Sequence, residues 1–176
     1  MIFDKRIFII FITNIILVHL MILINSGITF TSFNLFIIGP IYILAPLYLR
    51  TRHFFICAFL TGLWVDAAIP SPYGLITTSM VCIGTFIHLL RLRFRAEENF
   101  HPIILSHLSN FICATLVLCA SVNSIQGFLD LLFLSSIELL TSHLILMLIA
   151  PWFFNLQRSL FRLMKSKVEP DSLPFG

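Results

Sequence analysis

"GLWVDAAIPSPYGLITTS", residues Gly62 to Ser79, holds one charge, Asp66, between two apolar runs. The Pro70-Ser71-Pro72 triplet breaks a helix, because proline lacks a backbone N–H and biases the residue before it towards extended backbone. The flanking runs, Phe54–Ile69 and Tyr73–Leu90, have no period-2 alternation and read as helices. The stretch therefore predicts a tight helical hairpin with a carboxylate near its closed end. Ala58, Gly62 and Asp66 recur every four residues, so they share one stripe whose small members let a second helix approach closely.

Working outward, the chain is 59% hydrophobic and 11% charged, with a mean hydropathy of +1.01. An average soluble domain carries about 25% charged residues, so the composition points to lipid as the solvent. A span takes about 20 mainly apolar residues. Six segments qualify: Ile7–Ile24, Phe33–Leu49, Phe54–Ile69, Tyr73–Leu90, Ile103–Ser121 and Phe128–Phe154. The first exceeds the roughly 7–15 apolar residues of a signal peptide and precedes no small-residue cleavage site, so it is expected to be retained. Gly39-Pro40 and Pro46 predict a kinked or broken second span. The expected fold class is an all-α membrane protein, a six-helix transmembrane bundle over residues 1–154. A basic tail, 155–176, follows, its end (EPDSLPFG) disordered.

Charge placement orients this arrangement. All eleven basic residues fall before the first span, between spans two and three, between four and five, or after the sixth. The other three connections carry none. By the positive-inside rule both termini are cytoplasmic and the hairpin between helices three and four faces the opposite, periplasmic side. Arg91, Arg93 and Arg95 form a cytoplasmic basic cluster, read as a topology anchor or a docking site. Arg158, Arg162 and Lys165 share a stripe of Leu156–Lys167, which suits a short basic helix on anionic lipids and equally a plain topology signal.

Ionisable groups inside spans are costly and invite a functional reading. Asp66 can lock the hairpin, contact a partner, or handle a proton or substrate; Ser71, Thr77 and Thr78 are the hydroxyls nearest in sequence. Glu138 shares a stripe with Ser135 and Ser142, and Asn110 lies on span five with Ser106 and Cys113. These predict a polar seam between spans five and six. His88, His107 and His143 come from three helices without ligand spacing and read as satisfied bundle histidines; His19 is a further titratable group in span one. Four cysteines without C-x-x-C spacing read as packing residues. No metal and no cofactor is expected. There is no G-x-S-x-G, Walker, H-E-x-x-H or G-x-G-x-x-G motif, so no enzyme is expected. The few membrane-adjacent arginines give no support for nucleic-acid binding.

The skeleton Gly62, Asp66, Pro72, Gly74 leading straight into a new span resembles the signature region of the rod shape-determining protein MreD family. Gly74 is followed here by Leu75, Ile76 and Thr77, where many members have a His-Ala-like pair. The resemblance implies a non-catalytic, multi-pass scaffold of the bacterial inner (cytoplasmic) membrane. Its implied partners are the periplasmic coiled-coil protein MreC, the actin-like MreB and peptidoglycan synthases of the cell-elongation machinery. That family's fold is also similar to the substrate-binding subunits of energy-coupling-factor vitamin transporters, which supply a second reading. Such subunits carry an Ala-x-x-x-Ala-like stripe in the first span, and "IFIIFITNIILVHLMILI" (Ile7–Ile24) has none.

Overall fold

The structure, a computed structural model, describes residues 4–28, 34–94, 100–121 and 125–164. Six α-helices follow one another: α1 (Lys5–Gly27), α2 (Leu44–Tyr48), α3 (Thr51–Ala68), α4 (Leu75–Phe94), α5 (Phe100–Ser121) and α6 (Ile125–Leu163). A 3-10 turn, Gly39–Tyr42, precedes α2, and no strand occurs among the described residues. Asp4 caps α1: its carboxylate accepts from the Arg6 N–H at 3.0 Å, satisfying a donor that has no partner in the first turn.

The second expected span is not a helix through its length. Residues 34–38 have no regular secondary structure, and only Gly39–Tyr42 and Leu44–Tyr48 are helical. The predicted break falls where it should, but the residues before Gly39 do not resume a helix. Pro40 cannot donate, and the backbone ahead of it finds side-chain partners instead of helical ones. This irregular segment is the centre of the molecule: every residue from Ile37 to Leu49 is buried. Around it α3 packs on α4 as the most extensive pair, α1 lies against α3 and α6, and α5 packs on the 3-10 turn.

The expected boundary at residue 154 is also corrected. Helix α6 runs unbroken through it to Leu163, and Gln157 and Phe161 are fully buried against the bundle. Leu156–Leu163 is thus the last turns of α6, held by packing, and not a separate helix on a lipid surface. Lys165, Lys167 and the EPDSLPFG end lie outside the described residues.

Three helices are long and apolar enough to cross a membrane: Lys5–Gly27, Pro102–Ser121 and Ser135–Leu163. Their outward faces are apolar too, with Leu23 74% and Leu148 78% exposed. So wide an apolar surface is unfavourable in water and natural in lipid.

Candidate functional site

The hairpin is built from both sides of its turn. The Ile69 N–H closes α3 on Val65 O at 2.9 Å, and the Leu75 N–H bonds Pro72 O at 3.1 Å. Gly74, third in that turn, has φ +84°, which side-chain-bearing residues adopt only with strain. Gly74 also occupies the cap position of α4, where it has no side chain to offer. Asp66, from α3, supplies the cap: Oδ1 accepts from the Ile76 N–H and Oδ2 from the Thr77 N–H, each at 3.0 Å. The Thr77 hydroxyl donates to Oδ2 as well, at 2.5 Å. The carboxylate is 2% exposed and sits at the positive end of the α4 dipole, so its charge is compensated without a cation. Gly62, one turn before Asp66, lies where a Cβ would come within 2.6 Å of Thr77 Cα. The absence of a side chain there sets the distance at which Asp66 reaches the α4 N–H groups. Ser71 Oγ is buried without a partner among the described residues, and Thr78 points outward. Pro72 lies exposed at the tip beside Tyr73, which is 83% exposed.

The seam residues Asn110, Glu138 and Ser142 are not seen to bond α5 to α6. None of the bonds described for these residues crosses from α5 to α6; they receive the irregular segment 34–39. Six consecutive N–H groups, Asn34 to Gly39, all donate to side chains. Asn34 bonds Glu138 Oε1 at 2.9 Å, Leu35 bonds Asn25 Oδ1 at 2.8 Å, and Phe36 bonds Ser142 Oγ at 2.9 Å. Ile37 bonds Met21 Sδ at 3.2 Å, while Ile38 and Gly39 share Asn110 Oδ1 at 3.0 Å each. The Asn25 and Asn110 amides return bonds to the Leu35 and Phe36 carbonyls, both at 2.9 Å. Non-helical backbone lasts in lipid only when its polar groups are satisfied inside the protein, and each of these six N–H groups has such a partner. Ser135 is half-buried one turn from Glu138 on the same helix. Beneath the segment, the Tyr42 hydroxyl lies 2.7 Å from Ser79 Oγ and donates to Cys113 Sγ at 3.0 Å.

Two of the basic residues, Arg91 and Arg6, are likewise drawn inward, while Lys5, Arg50 and Arg52 are exposed. Arg91, expected as an anchor or docking residue, is 1% exposed and donates to Leu49 O at 3.1 Å. Arg6 grips the Asp4 carboxylate at 2.7 Å and donates to Tyr48 O at 3.1 Å. His88 Nδ1–H donates to Pro46 O at 2.8 Å, which leaves Nε2 to accept from the Thr51 hydroxyl at 3.1 Å. Three basic side chains from α1 and α4 thus hold the final carbonyls of α2, which have no helical donors of their own. The Arg93 side chain and Arg95 lie outside the described residues. Partial burial pushes the Asp4 carboxyl up, but its bonds to Arg6 and the charges of Arg6 and His53 outweigh this and hold it below its ordinary 3.8.

Of the three histidines considered together, two meet. His107 and His143 stack at 5.1 Å with their Nδ1 atoms 2.8 Å apart, so one Nδ1 donates and the other accepts. His88 is engaged elsewhere, and no group of three metal-ligating side chains occurs among the described residues. All four cysteines are free; Cys57 and Cys113 are buried, Cys82 and Cys119 exposed. Sequence reasoning missed Asn25, Met21, Arg6 and His88 as partners of the broken segment. Only Asn25, a polar residue closing a long apolar run, carried a signal that could have marked it.

Compared with protein-family models, with curated proteins and with solved structures, the chain matches none.

Proposed function

We propose that this chain is a non-catalytic scaffold of the bacterial cell-elongation machinery, of the rod shape-determining MreD type. In this reading it lies in the inner membrane as a six-span bundle with both termini cytoplasmic, anionic lipids at its basic tail, and the α3–α4 hairpin at the periplasmic surface. MreC-like coiled-coil proteins, MreB and peptidoglycan synthases are its partners. One observation carries the reading: Gly62, Asp66 and Gly74, the spaced residues of the resemblance, act as one device. Gly62 sets the helix separation, Asp66 caps α4 and Gly74 makes the turn. The product is a rigid tip presenting Pro70, Pro72 and Tyr73, all exposed. A pre-ordered tip costs little entropy on docking.

The runner-up, a substrate-binding subunit of an energy-coupling-factor transporter, draws support from the broken segment, because unwound backbone at membrane depth commonly builds ligand sites. Against it, all six N–H groups of residues 34–39 are already bonded to side chains, leaving none of them for a ligand.

The test is a mild-detergent pull-down of the tagged chain from native membranes, wild type beside Asp66→Asn at equal abundance. Recovery of a periplasmic coiled-coil protein or a peptidoglycan synthase, reduced in the variant, supports the scaffold. Recovery of paired ATPases with a membrane coupling protein overturns it in favour of the runner-up. Wild-type recovery by Asp66→Asn removes the hairpin from the interface.

A further inference from the structure

Helix α1 turns one face away from the bundle, and that face is not uniformly apolar. His19 is exposed on it, about 12 Å along the helix from Gly27 at 1.5 Å per residue. Its Nδ1–H donates to Ile15 O at 2.9 Å, which leaves Nε2 as an acceptor with no hydrogen bond among the described residues. Beside it lies Trp64 of α3, 44% exposed, its ring 6.0 Å from the imidazole. Among the described residues the Trp64 indole N–H makes no hydrogen bond, and it does not reach His19 of its own chain. The outer face therefore presents one unfilled acceptor and one unfilled donor side by side at one depth. In a hydrocarbon medium each is an uncompensated polar group.

The surrounding side chains have the spacing of a helix-packing seam. Ile12, Ile16, His19 and Leu23 follow one another at intervals of four, three and four, the repeat that keeps one stripe against a neighbouring helix in a left-handed pair. Ile12, Ile16 and Leu23 are exposed, as is Leu60 beside Trp64 on α3. A stripe made only to face lipid has no need of a histidine within it.

We infer that this face is the contact between two copies of the chain, related by a two-fold axis along the membrane normal, with His19 of each copy accepting a hydrogen bond from Trp64 of the other. The occupant follows from the chemistry on the face. In an isologous interface a residue pair is used twice with roles exchanged, so a surface carrying one donor and one matching acceptor is complementary to itself. Two copies of α1 packed along the 12-16-19-23 stripe bring the pairs together at one level and cover the apolar residues that flank them. The inference does not depend on the scaffold reading, since it needs no other protein.

The experiment uses the full chain with the exposed Cys82 and Cys119 replaced by serine and the buried Cys57 and Cys113 retained. Single cysteines are placed at Ile16 and Leu23, and at the control positions Phe86 and Leu148, which are exposed on α4 and α6. Oxidative cross-linking in native membranes is expected to give a product of twice the chain's mass from Ile16→Cys and Leu23→Cys and little from the controls. Dimerisation of the purified protein, measured by energy transfer on dilution in liposomes, is expected to weaken roughly 8- to 300-fold in His19→Leu, the range that two symmetry-related interhelical hydrogen bonds carry in lipid. Trp64→Phe is expected to do the same, and the double variant to lose little more, because both substitutions remove the same two symmetry-related bonds. Unchanged helical content confirms that each variant is folded. Equal cross-linking at all four positions, products only of another mass, or full additivity of the two substitutions would each overturn the inference; products of another mass would assign the seam to a different membrane helix.

Discussion

Among the described residues Asp66 alone supplies the side-chain acceptors at the start of α4, so the hairpin depends on one carboxylate. In Asp66→Ala the N–H groups of Ile76 and Thr77 lose their acceptor inside the bundle, along with the Thr77 hydroxyl. A buried donor left unsatisfied costs about 1–3 kcal/mol, so two N–H groups set a loss of about 2–6 kcal/mol. The hydroxyl adds little, since a helical threonine can turn back onto its own helix, as Thr85 does to Val81 O at 2.6 Å. Relief of the buried carboxylate's desolvation offsets part of the total, which leaves a loss of about 3 kcal/mol. Asp66→Asn keeps one acceptor oxygen but turns an NH2 towards the other N–H, and is expected to cost about 1–2 kcal/mol. The assay is reversible unfolding in mixed micelles against denaturing-detergent fraction, followed by far-ultraviolet circular dichroism. If Asp66→Ala lies within about 0.5 kcal/mol of wild type, or Asp66→Asn is the worse of the two, the capping argument is wrong.

The same assay checks three further expectations. Gly74→Ala forces a side chain into φ +84° and is expected to cost about 1–2 kcal/mol, whereas Gly74→Asn, which tolerates that region better, costs less. Asn110→Leu deprives Ile38, Gly39 and Phe36 of three bonds and is expected to lose about 2–5 kcal/mol; Glu138→Gln, which keeps an acceptor for Asn34, stays within about 1 kcal/mol. A Glu138→Gln loss as large as that of Asn110→Leu would show that charge, not acceptor capacity, matters at Glu138. Because Asp4 is held below its ordinary 3.8 in the folded protein, its contribution is present above that pH and is lost as pH falls through the lowered value. Wild type is therefore expected to lose more stability than Asp4→Asn between about pH 5 and pH 3, and parallel pH profiles would refute this.

The helical class, the spans that became α1, α3, α4 and α5, and the hairpin position were legible because each rests on a local rule. An apolar run of sufficient length becomes a helix where lipid satisfies nothing, and prolines end it. The break at Gly39-Pro40 was legible for the same reason. What replaced the helix before it was not. Whether residues 34–38 stay out of a helix depends on acceptors supplied by Met21 and Asn25 on α1, Asn110 on α5, and Glu138 and Ser142 on α6, up to about a hundred positions away. No sequence window contains those partners. The continuation of α6 past residue 154 was hidden similarly, since the burial of Gln157 and Phe161 comes from α1 and α2.

Composition and spacing by themselves determined that this chain is a helical protein suited to lipid, that residues 62–79 form a hairpin, and that Asp66 belongs to its closed end. Only the tertiary structure decided what the polar residues do. It made Asp66 the cap of a helix whose own cap residue is glycine, turned a presumed helix–helix seam into a cradle for unwound backbone, and withdrew Arg91 from the surface to hold a carbonyl. The physical reason is common to all three. In a medium without water every N–H and C=O must find a partner within the protein, and those partners are chosen by three-dimensional proximity, which a linear pattern does not contain.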